Sequence, residues 1–261
     1  MTEILFTVKE KIAYLDFHRP EARNAISRNL LNEFSAQITE LQDIHVYKKI
    51  RALVLRGSGG LAFCAGADLK ERAGMSEKEV WQFLDQFRDV LFRLESLKIP
   101  TVAAITGVAL GGGLEIALAC DLRVCSENAI LGLPEAKLGI IPGAGGTQRL
   151  PRLIGESRAK DLIYSGRRID ALAAREIGII NHVYPEKEFE KQVEHYVQEI
   201  VSSAPISLAM AKQAIQEGLN LGLEKGLDLE RTCYKSTINT KDRAEALVAF
   251  RDKRKPLFIG E

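Results

Sequence analysis

Apolar residues recur with two different periods along this chain, and these periods divide it into short strands and amphipathic helices. Residues 4–8 and 11–17 have the pattern of two strands joined by a tight polar turn. The next segment has helical spacing, and Ser27 is a suitable N-terminal cap. The apolar residues that fall on one face of this helix are Ile26, Leu30, Leu31, Phe34, Ile38 and Leu41. A compact apolar run at 51–56 predicts a buried strand, so the order predicts a βαβ unit and an α/β fold.

The middle of the chain continues this alternation. Ser76 and Glu79 make a capping box for a helix that ends before Pro100. Its apolar stripe consists of Val80, Phe83, Phe87, Val90, Leu91 and Leu94. Trp81 and Phe92 lie off the stripe, and packing against another element is a better interpretation than stacking on a cofactor. The remaining predicted strands are residues 101–105, 122–125, 129–131 and 179–183. Residues 204–250 have helical spacing only, which indicates an appendage that packs on the core or on another subunit.

A run of three glycines, Gly111 to Gly113, lies between a predicted strand and a helix-prone segment. Backbone without side chains can approach a ligand closely there. Free N–H groups at the helix N-terminus and the helix dipole favour developing negative charge, which is what an oxyanion hole requires. Glu115 lies on this otherwise apolar helix, where burial is costly unless the carboxylate is paired or used. The alternative interpretation is that Glu115 only complements the helix dipole.

A second glycine-rich loop, residues 134–148, contains Glu135. It matches neither a dinucleotide fingerprint, because Gln148 occupies the last glycine position, nor a P-loop. A third loop, residues 65–68, also follows a strand candidate, and ligand sites in α/β folds collect at strand carboxyl ends. Amides from two loops would hold an enolate oxygen while two carboxylates hold a water and move protons. The alternative for Glu135 is an ordinary solvated carboxylate.

Composition narrows the class of protein. The 261 residues include 36 basic and 35 acidic ones, so we do not expect the whole molecule to bind nucleic acid or a membrane surface. Four cysteines form neither a C-x-x-C pair nor a Cys/His cluster, which disfavours structural zinc and favours reduced thiols. The N-terminal residues lack a leader pattern, and no apolar stretch is long enough to span a bilayer. We therefore expect a cytoplasmic location.

Three motifs carry a resemblance to a known family over essentially the whole chain. They are F-C-A-G-A-D-L-K at 63–70, G-V-A-L-G-G-G-L-E-I-A-L-A-C-D at 107–121 and L-P-E-A-K-L-G-I-I-P-G-A-G-G-T-Q-R-L at 133–150. In this order they resemble the crotonase superfamily, specifically enoyl-CoA hydratases. Residues 68–73, 75–76 and 240–243 look closest to the methylglutaconyl-CoA hydratase branch, whose mammalian member is also called the AU-rich RNA-binding enoyl-CoA hydratase.

The resemblance implies roles for particular residues. The N–H groups of Ala67 and Gly112 would form the oxyanion hole for the thioester oxygen. Glu115 would activate water for attack on Cβ, and Glu135 would deliver a proton to Cα. The N–H of Gly143 would help to place the water. The residues implied in acyl-CoA binding are Arg23, Ala65, Ala67, Asp68, Leu69, Lys70, Gly112, Phe250 and Lys253, and for Lys253 a solvated charge run is an equal alternative.

The resemblance also implies an architecture and a chemistry. Residues 1–200 would form the ββα spiral core, and residues 201–261 would form a C-terminal helical region that mediates homotrimers, often paired into hexamers. The reaction would be the hydration of an enoyl-CoA, in fatty-acid or leucine degradation, with 3-methylglutaconyl-CoA as one candidate substrate. Because the oxyanion hole stabilises the enolate, we expect no metal and no cofactor beyond the coenzyme A of the substrate.

Two alternatives remain open. A Δ3-Δ2 enoyl-CoA isomerase or a decarboxylase of the same superfamily typically lacks one of the two glutamates, which disfavours both. An RNA-binding homologue would need a basic first helix, but residues 27–42 contain Arg28 as their only basic residue. Phosphate contacts dominate nucleic-acid affinity, so we expect no RNA binding.

Overall fold

The computed structural model describes residues 2–42 and 49–261. Its strands, within those ranges, are β1 (Ile4–Lys9), β2 (Ile12–Phe17), β3 (Ala52–Gly57), β4 (Ala62–Cys64), β5 (Thr101–Ile105), β6 (Val108–Leu110), β7 (Leu122–Ser126), β8 (Ile130–Gly132), β9 (Ile169–Asp170) and β10 (His182–Tyr184). The α-helices of the same ranges are α1 (Arg28–Glu40), α2 (Leu69–Arg72), α3 (Glu77–Glu95), α4 (Gly112–Ala119), α5 (Gly146–Ile154), α6 (Glu156–Ser165), α7 (Ala171–Glu176), α8 (Phe189–Val201), α9 (Pro205–Gly218), α10 (Leu223–Ile238) and α11 (Lys241–Arg251). The α/β prediction is confirmed.

The larger sheet has the strand order β1-β2-β3-β5-β7-β10. Only the β1–β2 pair of this sheet is antiparallel, and β2 pairs with β3 in parallel, which confirms the predicted βαβ unit across α1. Successive side chains of β2, β3 and β5 alternate between two apolar clusters. Leu53 and Leu55 face α1 and α3, whereas Val54 faces α8. Both faces of the sheet are therefore covered, which is why these strands are continuous apolar runs.

The helix boundaries follow the predicted caps. Ser27 accepts a hydrogen bond from the Leu30 N–H at the start of α1. Ser76 and Glu79 form the complete capping box of α3, which ends at Glu95 before Pro100. Residues 205–251 form α9, α10 and α11, as the helical spacing predicted. Among the described helices none is long and apolar enough to cross a membrane.

A smaller sheet of order β4-β6-β8-β9 was largely missed by the sequence pattern. Residues 62–64 and 108–110 are not among the predicted strands, but they form β4 and β6. Strands of three buried residues are too short to show a period. Gly107 (φ 60°) joins β5 to β6, and a Cβ there would lie 2.1 Å from the Leu61 carbonyl oxygen. The smaller sheet matters because β4, β6 and β8 each end at one of the three loops singled out above.

Candidate active site

A cleft of about 2120 Å³ opens at the ends of β4, β6 and β8. Helices α3 and α9 contribute its other walls. Both Glu115 and Glu135 line it, together with Ala67 and Gly112. The predicted convergence of the three loops at strand ends is therefore present in the structure. Trp81 and Phe92 are exposed on this cleft, so neither packs into the core.

The two predicted oxyanion amides come from neighbouring loops. A Cβ on Gly66 (φ 96°) would lie 2.8 Å from the Leu110 carbonyl oxygen and 3.4 Å from the Gly112 nitrogen, so the loops are in direct contact. The Ile26 N–H donates to the Gly66 carbonyl and the Asp68 N–H donates to the Ile26 carbonyl. This bridge pattern turns the intervening Ala67 N–H away from Ile26.

Gly112 is the first residue of α4, and its N–H belongs to the first turn, which has no acceptor inside the helix. The first hydrogen bond of the helix is donated by Glu115 to the Gly111 carbonyl. Gly111 precedes it with φ 52° and ψ −125°, a conformation that glycine tolerates best. The N-terminus of α4 therefore presents backbone donors, and the positive end of its dipole, to the cleft.

Glu115 is only 3% exposed, and backbone amides from the second glycine-rich loop, residues 134–148, hold it. Its Oε1 accepts hydrogen bonds from the N–H of Ala144 at 2.8 Å and of Gly146 at 2.7 Å. Burial raises the pKa of Glu115, while the two amide bonds and the charge of Arg149 oppose that shift. Both hydrogen bonds go to Oε1, so Oε2 is the oxygen through which this side chain can take a proton.

Glu135 lies in a short 3₁₀ turn, Glu135–Leu138, and is held much less tightly. Its Oε2 is buried and, among the described residues, has no hydrogen-bond partner. Burial raises the pKa of Glu135 from 4.5 to about 7, and the charge of Glu115 adds to the shift. A carboxyl group with this pKa is partly protonated at neutral pH. Its Oε2, which has no hydrogen-bond partner among the described residues, can form a hydrogen bond with a bound ligand.

The positions of the other predicted residues divide into two groups. Gly143, Ala65 and Leu69 line the cleft with the oxyanion pair. The remaining five do not line it: Arg23, Asp68, Lys70, Phe250 and Lys253. The Arg23 carbonyl accepts from the Ala65 N–H, so its loop adjoins the cleft. Phe250 is 87% exposed, and its predicted role, like that of Lys253, requires a neighbouring subunit.

Asp68 has a role that the sequence did not indicate. It caps α2 by accepting from the N–H groups of Lys70 and Glu71, and it forms an ion pair with Arg19 at 3.1 Å. These bonds fix the loop that carries Ala67. The structure therefore accounts for Asp68 as a support of the loop, and its predicted contact with acyl-CoA stays a prediction.

Arg149 lies in the motif at 133–150, and the family resemblance implies no role for it. Its guanidinium donates to the Ala144 carbonyl at 3.0 Å and to Glu95 at 2.9 Å. Arg149 thus connects α3 to the loop segment whose amides hold Glu115. The triplet Gly145-Gly146-Thr147 was a signal for this close packing, because a Cβ on Gly146 would lie 3.1 Å from Glu115 Oε1.

Comparisons with known proteins show which family this chain resembles. Residues 7–261 match the family described as enoyl-CoA hydratase/isomerase. The chain is 50% identical to the enoyl-CoA isomerase/hydratase fer4 of Mycosarcoma maydis, covering 96% of this chain and 93% of the relative. It is 45% identical to the mitochondrial methylglutaconyl-CoA hydratase of Mus musculus, covering 96% and 80%. The crystal structure of an enoyl-CoA hydratase from Bacillus anthracis superimposes with a TM-score of 0.96 at 44% identity, covering 100% of both chains.

Proposed function

This chain belongs to the enoyl-CoA hydratase/isomerase family and is a hydro-lyase, and from that premise we propose that it adds water across the α,β double bond of a short enoyl-CoA thioester. The observation that carries the proposal is the meeting of two buried carboxylates and two backbone donors in one cleft. Within that cleft each group has a distinct task.

The amides of Ala67 and Gly112 would bind the thioester oxygen. They would become stronger partners as the oxygen gains charge in the enolate, and an oxyanion donor of this kind is worth about 3 kcal/mol of transition-state stabilisation. The enolate is the high-energy species of the reaction, so the largest share of catalysis is assigned to this pair. No acid or base on the protein has to carry that charge.

The two glutamates would handle the protons. Glu115, fixed through Oε1, would accept a proton from water through Oε2 as the hydroxyl oxygen bonds to Cβ. Glu135, with its pKa near 7, would donate its proton to Cα. The electron pair of the double bond moves to Cα and the thioester oxygen, then forms the new C–H bond. Glu115 gains one proton and Glu135 loses one, so the number of protons on the pair is unchanged. Transfer of one proton from Glu115 to Glu135, through water, restores the starting state.

The acyl group we propose is 3-methylglutaconyl, which would place the reaction in leucine degradation rather than general fatty-acid degradation. The support is the 45% identity to the methylglutaconyl-CoA hydratase of Mus musculus. Isomerisation of an enoyl-CoA is a second candidate, because the Mycosarcoma maydis relative is named isomerase/hydratase. A 3-enoyl-CoA substrate would distinguish the two, since it has no conjugated double bond to hydrate.

The remaining expectations also become proposals here. We propose a homotrimer or hexamer assembled through residues 201–261, supported by exposed apolar side chains on and between α9, α10 and α11, such as Leu219, Leu223 and Phe250. A cytoplasmic location, independence from a cofactor and the lack of RNA binding are proposed on the sequence arguments alone. On α1, Arg28 is bound to Glu71 and Glu79, which lowers its availability for phosphate.

The test of the reaction is the loss of conjugated enoyl-thioester absorbance when purified protein meets crotonyl-CoA or 3-methylglutaconyl-CoA. Glu115→Gln and Glu135→Gln should each reduce kcat by about 10²- to 10⁴-fold, because each removes a placed acid or base. Thermal unfolding monitored by circular dichroism checks that both variants remain folded. Full activity in either variant would remove that glutamate from the mechanism, and no hydration of any enoyl-CoA by the wild type would end the proposal.

A further inference from the structure

Arg72 is a half-buried cation on the wall of the catalytic cleft. It ends α2, and its guanidinium carbon lies 5.6 Å from the centroid of the Phe83 ring. Across residues 2–42 and 49–261 its guanidinium has neither an ion-pair partner nor a hydrogen-bond acceptor. Burial lowers the pKa of Arg72, which shows that its charge is incompletely solvated. A guanidinium in this state can pair with an anion whose geometry matches its N–H donors.

Three acidic residues close to Arg72 in sequence are bound to other groups. Asp68 pairs with Arg19 and caps α2. Glu71 pairs with Arg28 at 2.8 Å. Glu79 is occupied by the capping box of α3 and by the same arginine. These three carboxylates are therefore engaged by other groups, and the five N–H donors of the Arg72 guanidinium remain for a ligand.

Other cations on the cleft are less suited to bind a ligand anion. Arg88 pairs with Asp85 and is largely exposed. Arg149 and Lys212 form ion pairs with Glu95 and Asp121. The other cations that line the cleft are exposed to solvent, where a single charge pair contributes little; they are Lys98, Lys137, Arg152, Arg167 and Arg168. Arg72 combines partial burial with a free guanidinium.

The neighbours of Arg72 relate it to the reacting atoms. Phe87 lies one turn along α3 from Phe83, and the two ring centroids are 6.1 Å apart. A Cβ on Gly112 would lie 3.0 Å from the Phe87 ring, and a Cβ on Gly143 would lie 2.8 Å from the Leu84 side chain. These three side chains form an apolar wall that begins at the oxyanion amide. Arg72 lies at the far end of that wall.

We propose that Arg72 binds a carboxylate at the distal end of the acyl chain, so that the preferred substrates are short enoyl-CoA thioesters that carry a terminal carboxylate. The inference rests on the proposed hydratase function and deepens it. The apolar wall contacts the carbon chain between the thioester and its far end, and the guanidinium fork matches a carboxylate with two parallel hydrogen bonds. A neutral acyl chain of equal length contacts the apolar wall but leaves Arg72 without an anionic partner.

Two substrates that differ at this end test the proposal. Glutaconyl-CoA carries a carboxylate where pent-2-enoyl-CoA carries a methyl group, and kcat/KM is measured for both. In Arg72→Leu the ratio of kcat/KM for glutaconyl-CoA to that for pent-2-enoyl-CoA should fall about 10- to 100-fold, the effect of losing a charge-assisted hydrogen bond. Arg72→Lys keeps the positive charge but loses the two parallel N–H donors of the guanidinium. Its substrate ratio should lie between those of the wild type and Arg72→Leu.

Arg88→Leu is the matched control, because it removes the same charge from the same cleft at an exposed, paired position. Its substrate ratio should stay within about threefold of the wild-type value. A ratio that is the same in the wild type, Arg72→Leu and Arg88→Leu would overturn the assignment of Arg72. If the wild type hydrates pent-2-enoyl-CoA but has the same substrate ratio as the two variants, only the carboxylate site is disproved. If the wild type hydrates neither substrate, the hydratase function and the site are both disproved.

Discussion

Glu115 and Glu135 line one cleft, but the protein holds them in opposite ways. Glu115 is on α4, fixed by two amides at 2.8 and 2.7 Å and influenced by the charge of Arg149. Glu135 is in a 3₁₀ turn, with a buried oxygen that has no partner among the described residues. Environments that treat two carboxyl groups differently assign them different proton-transfer roles.

The difference shows how one pair of identical side chains can contain both a base and an acid. A base must be ionised and stay in place, and the two amide hydrogen bonds to Glu115 favour both, although burial still raises its pKa. An acid must keep its proton near neutral pH. Burial achieves that for Glu135, because it outweighs the hydrogen bond from the residue's own backbone N–H, which lowers the pKa. The unsatisfied oxygen is a local cost to stability that is consistent with a catalytic role.

A substitution that loosens Glu115 should reduce the difference between the two glutamates most strongly. Arg149→Met removes the guanidinium that holds the Ala144 carbonyl and opposes the raised pKa of Glu115. We expect kcat for crotonyl-CoA to fall about 10- to 100-fold, because a misplaced base costs about this much. The pKa of Glu115 should rise, so that the remaining activity requires a higher pH.

Glu95→Gln is the matched control for that variant. It removes the ion pair of Arg149 at 2.9 Å but leaves the guanidinium and its bond to the Ala144 carbonyl. Its loss of kcat should be clearly smaller than that of Arg149→Met. Equal losses in the two variants, or an unmoved pH–rate profile in Arg149→Met, would show that Arg149 acts only on stability.

A smaller effect is expected on stability. The pKa of Glu135 is raised from 4.5 to about 7 in the folded protein, so the folded state binds the proton more tightly than the unfolded state. Stability should therefore fall as pH rises from about 4.5 to 7, and the loss remains above that range. Glu135→Gln removes this cost and should raise the free energy of unfolding by about 1–2 kcal/mol at pH 8.

Urea unfolding at pH 5 and pH 8 measures that difference. The gain should shrink at pH 5, where the wild-type carboxyl is mostly protonated when folded. Glu115→Gln is the comparison variant, and its gain at pH 8 should be smaller because the substitution weakens two charge-assisted amide bonds. Equal gains for the two glutamine variants would contradict the contrast between the two sites.

The sequence predicted the elements whose pattern is long and one-sided. The apolar runs of β3 and β5 and the stripes of α1 and α3 could be predicted because several residues repeat one period. The three-residue strands β4 and β6 could not, since they contain too few positions to show a period. Their register depends on contact with each other, which is a property of the fold.

The candidate site was predicted to a similar extent. Side chains such as Glu115 and Glu135 stand out in sequence because a carboxylate among glycines and apolar residues is unusual. The amides of Ala144 and Gly146 do not, because every residue except proline has an N–H and only the fold decides where it points. The free guanidinium of Arg72 was equally hidden, since it depends on where the neighbouring carboxylates bind.

The proposed mechanism requires the amides of Ala67 and Gly112 and both glutamates to act on one bound thioester. A crystal structure with a bound 3-hydroxyacyl-CoA product is the decisive experiment. We expect the thioester oxygen about 2.7–3.1 Å from both amide nitrogens and the 3-hydroxyl group between the two carboxylates. A thioester oxygen bound away from either amide, or a hydroxyl group that contacts neither glutamate, would contradict it.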